Sequence, residues 1–210
     1  MNLNNYKIKT ARLLLDIKSI TIKPKNPFKL TSGRLSPIYV DCRKIISFVK
    51  IREQIIKMGI SLIKKNISLK KIDYIAGGET AGIPYAAWIA EKLKKPMIYI
   101  RKKPKGFGKL SQIEGYFKKK SRVLLIEDLS TDGKSKVNFC NVIRNSGGKF
   151  SDIFVIFNYG IFPDKILKQN KLKLHFLTDW KSVINLIKSK KIFKSNEIKL
   201  IEDFLYNANK

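Results

Sequence analysis

Histidine and cysteine are nearly missing from this sequence: His175 stands alone, and Cys42 and Cys140 are the two thiols in 210 residues. A histidine-based triad or zinc site has almost nothing to be built from, so His175 is read as structural. The cysteines lie far apart at no metal-ligand spacing, and both are expected as reduced, half-buried thiols. Acidic residues are scarce too, 16 against 44 Lys and Arg, for a formal net charge of +28. No apolar run approaches the roughly 20 residues of a membrane span. The opening Met1-Asn2-Leu3-Asn4-Asn5-Tyr6 has no apolar core of a secretory leader. A cytoplasmic protein without a membrane partner is the expectation.

Apolar residues make up 44% of the chain, enough for a sizeable core and too many for a disordered polymer. The length suits a single domain over residues 1–210, perhaps with a small appended element. The positive charge admits nucleic acid, an acidic surface or a polyphosphate as partner. Yet Lys, Ile and Asn are abundant everywhere, including on plain solvated helix faces, as in a chain encoded by an A+T-rich genome. The charge is therefore read as compositional, and nucleic acid is not expected as a partner. What matters is which basic residues stand beside a phosphate-binding loop.

Hydrophobic periodicity alternates between helix and strand. Helical spacing runs over Lys9–Ile20, Ile51–Ile63, Ile83–Leu93, Lys136–Asn145, Lys181–Lys188 and Asn196–Tyr206. Short apolar runs predict strands at Ile38–Val40, Tyr74–Ala76, Met97–Ile100, Arg122–Ile126 and Ile153–Phe157. This alternation argues for an α/β fold with a parallel sheet covered by helices on both faces. Ligands of such sheets bind at the carboxyl ends of the strands. Gly77-Gly78, Arg101-Lys102 and Glu127-Asp128 fall along that edge.

The stretch Val123-Leu124-Leu125-Ile126-Glu127-Asp128-Leu129-Ser130-Thr131-Asp132-Gly133-Lys134-Ser135 carries the most chemistry. A strand delivers two acids, then a loop of small residues, then a helix. Backbone N–H groups, the hydroxyls of Ser130, Thr131 and Ser135, and the helix N-terminus can cradle a dianionic phosphate. The acids repel that phosphate but accept hydrogen bonds from sugar hydroxyls. One loop thus suits a ribose 5-phosphate. A Walker loop is excluded, because no Gly-x-x-x-x-Gly-Lys-[Ser/Thr] occurs. A second basic stretch, Arg101-Lys102-Lys103-Pro104-Lys105-Gly106-Phe107-Gly108, follows a strand. Its glycines permit movement and its cations suit a pyrophosphate leaving group.

The acid–phosphate segment resembles the signature of type I phosphoribosyltransferases. Three further segments make the resemblance specific to orotate phosphoribosyltransferases. Thr31-Ser32-Gly33-Arg34-Leu35-Ser36-Pro37-Ile38-Tyr39-Val40-Asp41 is similar to that family's hood segment, so residues from about 1 to 45 are expected to form a small hood. Ala76-Gly77-Gly78-Glu79-Thr80-Ala81-Gly82-Ile83-Pro84 resembles its pyrophosphate-binding turn, and Arg101–Gly108 its mobile basic loop.

The resemblance implies transfer of ribose 5-phosphate from phosphoribosyl pyrophosphate to orotate, giving orotidine 5′-monophosphate in pyrimidine biosynthesis. It implies Mg²⁺ bound mainly through the substrate rather than by protein ligands. Lys102, Lys105, Glu127 and Asp128 are the implied catalytic residues. Substrate contacts are expected from these four and from Arg101, Leu129, Ser130, Thr131, Asp132, Gly133, Lys134, Ser135, Tyr39, Val40, Thr80 and Ala81. A homodimer is implied, with part of the basic loop reaching into the neighbour's site. The chain departs from the family at Phe107, where many bacterial members have His, and near Tyr159, where several have an orotate-contacting Arg. Arg34 or hood N–H groups near Tyr39 and Val40 are the expected substitutes for that Arg. The other readings are transfer to a purine base and a non-catalytic regulator that binds phosphoribosyl pyrophosphate.

Overall fold

The computed structural model describes residues 3–23, 26–29, 35–104, 111–160, 165–190 and 193–208. Its first helix, α1 (Leu3–Asp16), buries Thr10, Ala11 and Leu14 on one face. The helical pattern predicted to run to Ile20 stops earlier, because Lys18 adopts a left-handed φ of 52° and turns the chain. Ile20 instead opens β1 (Ile20–Ile22), which pairs antiparallel with β4 (Ile38–Val40); between them β2 (Phe28–Lys29) pairs with β3 (Leu35–Ser36). A 3-10 turn over Cys42–Ser47 then leads into α2 (Val49–Asn66).

The rest alternates strand and helix: β5 (Tyr74–Gly78), α3 (Gly82–Leu93), β6 (Met97–Ile100), β7 (Ile113–Glu114), β8 (Arg122–Ser130), α4 (Lys134–Asn145), β9 (Lys149–Asn158), α5 (Lys165–Gln169), β10 (Lys173–Asp179), α6 (Trp180–Lys190) and α7 (Ser195–Ala208). The central sheet has the order β10-β9-β8-β5-β6-β7, parallel except for the antiparallel edge strand β7. The α/β class and the parallel sheet agree with the expectation.

Side-chain alternation explains the two covered faces. On β8, Leu124 and Ile126 join a cluster with Leu14 of α1, Ile63 of α2, Ile89 of α3 and Ile187 of α6. Val123 and Leu125 join the opposite cluster with Phe139, Cys140 and Ile143 of α4 and Leu167 of α5. Ile20, Ile38, Val40, Cys42 and Ile45 belong to the first cluster, so the N-terminal ribbon shares its apolar contacts with the sheet.

Three expectations need correction. Both cysteines are free but fully buried rather than half-buried, and burial pushes the Cys140 thiol up to about 11. The acid-bearing strand does not end at Ile126: β8 continues through Glu127 and Asp128 to Ser130, because β9 keeps pairing with it as far as Asn158. The helix after it starts at Lys134, not Lys136. His175 does have a structural place, with Nε2 lying 2.8 Å from Asp152 Oδ1 between β10 and β9.

Candidate active site

At the carboxyl ends of β5 and β8 the chain must leave the sheet, and three segments meet there. Glu79-Thr80-Ala81 follows β5, Lys102 follows β6, and Glu127 and Asp128 lie near the end of β8, before Ser130. With Arg43 and Ile46 from the 3-10 turn, Pro84 from α3, and Ser135 and Phe139 from α4, they line a cavity of about 560 Å³. A larger cavity, about 730 Å³ between α2 and α3, is lined by Arg52, Trp88 and neighbours and holds neither the paired acids nor the loop. Chemistry rather than volume therefore marks the site.

The acids are the unusual feature. Glu127 is 6% and Asp128 9% exposed. Burial of a carboxylate is costly unless it is compensated. Glu127 Oε2 accepts from Lys136 Nζ at 2.9 Å, whereas Oε1 is buried with no hydrogen-bond partner among the described residues. Desolvation pushes Glu127 up to about 7, with Asp128 adding to the rise and Lys136 and Lys102 opposing it. Asp128 is also raised by burial, against the pull of Lys136, the Leu129 N–H and Arg43. Its Oδ1 accepts that N–H at 2.8 Å.

Glycine makes the seat for Glu127. A Cβ added at Gly78 would lie 2.3 Å from Glu127 Oε1, and one at Gly82 2.6 Å from it. Both positions must therefore lack a side chain for this carboxylate to lie over the end of β5. The same turn anchors the basic segment, since the Lys102 N–H donates to Glu79 Oε2 at 2.6 Å.

Of the residues expected in the site, Lys102, Glu127, Asp128, Thr80, Ala81 and Ser135 come together around the cavity. Others stand apart. Arg101 places Nη1 3.8 Å from Glu114 on β7. Leu129 packs on the core, and Ser130 is 1% exposed, with its carbonyl accepting from the Tyr159 N–H. Thr131 and Lys134 are exposed or nearly so at the loop. Asp132 accepts from the Lys134 N–H at 3.1 Å, and Gly133 takes a φ of 78° just before α4. Tyr39 stacks on Phe28 with ring centroids 5.2 Å apart. Val40 is buried and its N–H already donates to the Tyr159 hydroxyl at 3.3 Å, so it is not available to a ligand. Lys105 and Phe107 of the basic loop, and Arg34 of the hood segment, lie outside the described residues.

Sequence reasoning missed Arg43 and Lys136. Arg43 donates to Asp41 Oδ1 and to the Tyr39 hydroxyl, at 3.2 and 3.1 Å, and lines the cavity opposite the acids. The Asp-x-Arg spacing just after β4 was the available signal. Tyr159, near which the resemblance puts an orotate-contacting Arg, is not a substitute cation: it is 4% exposed, and its hydroxyl accepts the Val40 N–H of β4.

A parallel sheet with an acid pair at one strand end, a small-residue loop leading into a helix and a glycine-lined turn beside it defines a type I phosphoribosyltransferase. No family model matches the chain. Orotate phosphoribosyltransferase of Rhizobium rhizogenes is 43% identical over 197 residues, 93% of this chain and 85% of that protein. Its counterpart in Roseobacter denitrificans is 44% identical over 203 residues, 96% and 90% of the two chains. The solved orotate phosphoribosyltransferase of Aeropyrum pernix superposes with a TM-score of 0.74 at 26% identity, covering 88% of this chain and 99% of that one. A UMP synthase of Leishmania donovani gives 0.81 at 25% identity, covering 95% of this chain, which spans 42% of that longer one. The chain belongs to the orotate phosphoribosyltransferase family.

Proposed function

We infer that the protein transfers ribose 5-phosphate from phosphoribosyl pyrophosphate to a ring nitrogen of orotate, releasing pyrophosphate and orotidine 5′-monophosphate. The observation that carries this reading is the buried acid pair facing Lys102, Arg43 and the Thr80-Ala81 turn across one cavity. The C–O bond to pyrophosphate breaks as the sugar carbon gains positive charge. Asp128 and Glu127 accept hydrogen bonds from the ribose hydroxyls, and their negative charge favours that cationic sugar. The loop from Ser130 to Ser135 and the N-terminus of α4 hold the 5-phosphate. Lys102 and the turn at Thr80 meet the leaving pyrophosphate, whose charge grows as the bond breaks. Arg43, on the hood side, meets the carboxylate of orotate.

Mg²⁺ belongs to the same proposal. Among the described residues no group of three or more His, Cys, Asp or Glu is arranged to hold a metal ion. The Mg²⁺ would arrive on the oxygens of the donor and keep much of its own coordination shell, so it would need no cage of protein ligands. When bound it neutralises pyrophosphate charge. The proposal also includes a homodimer with a shared basic loop and a cytoplasmic setting, the latter supported by the two free buried thiols. Among the described residues no helix is long and apolar enough to cross a membrane.

The test is incubation with orotate, phosphoribosyl pyrophosphate and Mg²⁺, following the loss of orotate absorbance, with adenine, guanine and hypoxanthine in parallel. Orotate should be consumed and the purines spared. Reaction with a purine and not with orotate would reassign the base.

A further inference from the structure

Lys136 occupies a position where an apolar residue would be expected. The buried face of α4 is Lys136, Phe139, Cys140 and Ile143, the i, i+3, i+4, i+7 stripe of a core-facing helix. Leu or Met at the first of these would pack without burying a charge. Instead the Lys136 side chain is 6% exposed, with Nζ 2.9 Å from Glu127 Oε2 and 3.2 Å from Ser135 Oγ. Two ions removed from water cost more than well-packed apolar groups of similar volume. Folding alone gives no reason for a lysine here.

The ligand side of the pair supplies a reason. Glu127 Oε1 has no hydrogen-bond partner among the described residues, and the glycines at 78 and 82 leave room for it at the end of β5. Lys136 thus occupies one carboxylate oxygen and leaves the other unpaired, in a residue that lines the cavity. The same ammonium reaches the hydroxyl of Ser135, in the loop that would cradle the 5-phosphate. We propose that Lys136 is a positioning residue that keeps Glu127 ionised and oriented toward ribose and ties it to the phosphate loop. This rests on the transfer reading given above.

Among the described residues, the charged groups that act on Glu127 are Lys136 from α4, Asp128 on its own strand and Lys102 from the segment after β6, and Gly78 of β5 and Gly82 of α3 lie against its carboxylate. Burial already raises Glu127 to about 7 with the ammonium in place. Without it the carboxyl must hold its proton to still higher pH. The acid limb of kcat/KM for phosphoribosyl pyrophosphate, which reports ionisation in the free enzyme, then moves to higher pH.

The experiment measures that limb, from about pH 5.5 to 9.5, in wild type, Lys136→Met, Lys136→Gln and Lys136→Arg. Met and Gln should move it upward by at least about one pH unit, a tenfold change in the proton equilibrium, with activity partly regained at high pH. Arg should keep it near the wild-type position. An unmoved limb in a folded Met or Gln protein would overturn the proposal. If neither folds, Lys136→Arg decides by itself: a wild-type limb supports the proposal and a displaced one overturns it. Direct binding of phosphoribosyl pyrophosphate across the same pH range reads the limb without orotate. A wild type that binds the donor with this limb but leaves orotate unchanged refutes the orotate reading alone.

Discussion

At the scale of single residues, Asp128 and Arg43 divide the work by charge. Asp128 is buried, one of its oxygens accepts the Leu129 N–H, and it lines the cavity. Asp128→Asn keeps the size and removes charge that would favour a cationic sugar. Turnover should fall by roughly 2–4 kcal/mol of transition-state stabilisation, about 30- to 1000-fold. Thermal midpoint should hold or rise, since a desolvated charge is gone; a folded Asn protein with near-normal kcat would remove Asp128 from its role. Arg43 is more exposed, its side chain at 60%, and shares its guanidinium with Asp41 and Tyr39. Its contact with a carboxylate is therefore partly screened. Arg43→Ala should raise KM for orotate about tenfold, near 1.4 kcal/mol, and leave KM for phosphoribosyl pyrophosphate nearly unchanged. Equal effects on both substrates would place Arg43 elsewhere in the reaction. Glu127 and Asp128 were legible in sequence because two adjacent acids end an apolar run. Arg43 was legible only as an Asp-x-Arg spacing after β4, because only the fold brings it to one cavity with residues so distant in the chain.

At the scale of elements, the buried strands were readable and the edge strands β7 and β10 were not. Val123–Ile126 and Ile153–Phe157 are continuous apolar runs because both of their faces are covered. β10, with Lys173, His175, Thr178 and Asp179 interrupting its apolar residues, lies at the sheet edge beside β9 and reads as polar. Lys136 was hidden differently: in a lysine-rich chain one more lysine at the start of a helix carries no signal. Its pairing with Glu127 links α4 to β8 and makes a prediction about stability. Glu127 is raised from 4.5 to about 7, so the folded state holds that proton to higher pH than the unfolded chain does. The cost is therefore absent below about pH 4.5, grows as pH rises through this window, and is full above about 7. In the double variant Glu127→Gln with Lys136→Met both buried charges are gone. It should unfold in urea at the wild-type midpoint or higher at pH 8, by about 1–4 kcal/mol, and should lose the decline between pH 4.5 and 8. Activity should be lost as well. A double variant much less stable than wild type at pH 8 would mean that the ion pair is a net stabiliser of the fold.

At the scale of the whole molecule, the question is whose basic loop serves whose acids. Lys102 is positioned within its own chain: its N–H is held by Glu79, and its side chain lines the cavity that contains Glu127 and Asp128. It also lowers the proton affinity of that same Glu127. Lys105 comes three residues later, in the segment that the proposed homodimer would send into the neighbouring subunit. The two lysines should therefore behave oppositely in mixed dimers. Each of Lys102→Ala, Lys105→Ala and Asp128→Asn should be nearly inactive alone. Mixing Lys105→Ala with Asp128→Asn and allowing subunits to exchange creates heterodimers in which the intact Asp128 meets the intact Lys105 across the interface. Activity should recover toward one working site in each heterodimer, a quarter of wild type per total subunit at equal mixing, because random exchange makes half of the dimers mixed. Mixing Lys102→Ala with Asp128→Asn should recover none, since both lesions then need to be absent from one and the same chain. Exchange is checked by tagging one variant and recovering mixed dimers by affinity. Recovery in the Lys102 mixture would show that even the stem of the loop serves the neighbour, and no recovery in either mixture would make each subunit self-sufficient.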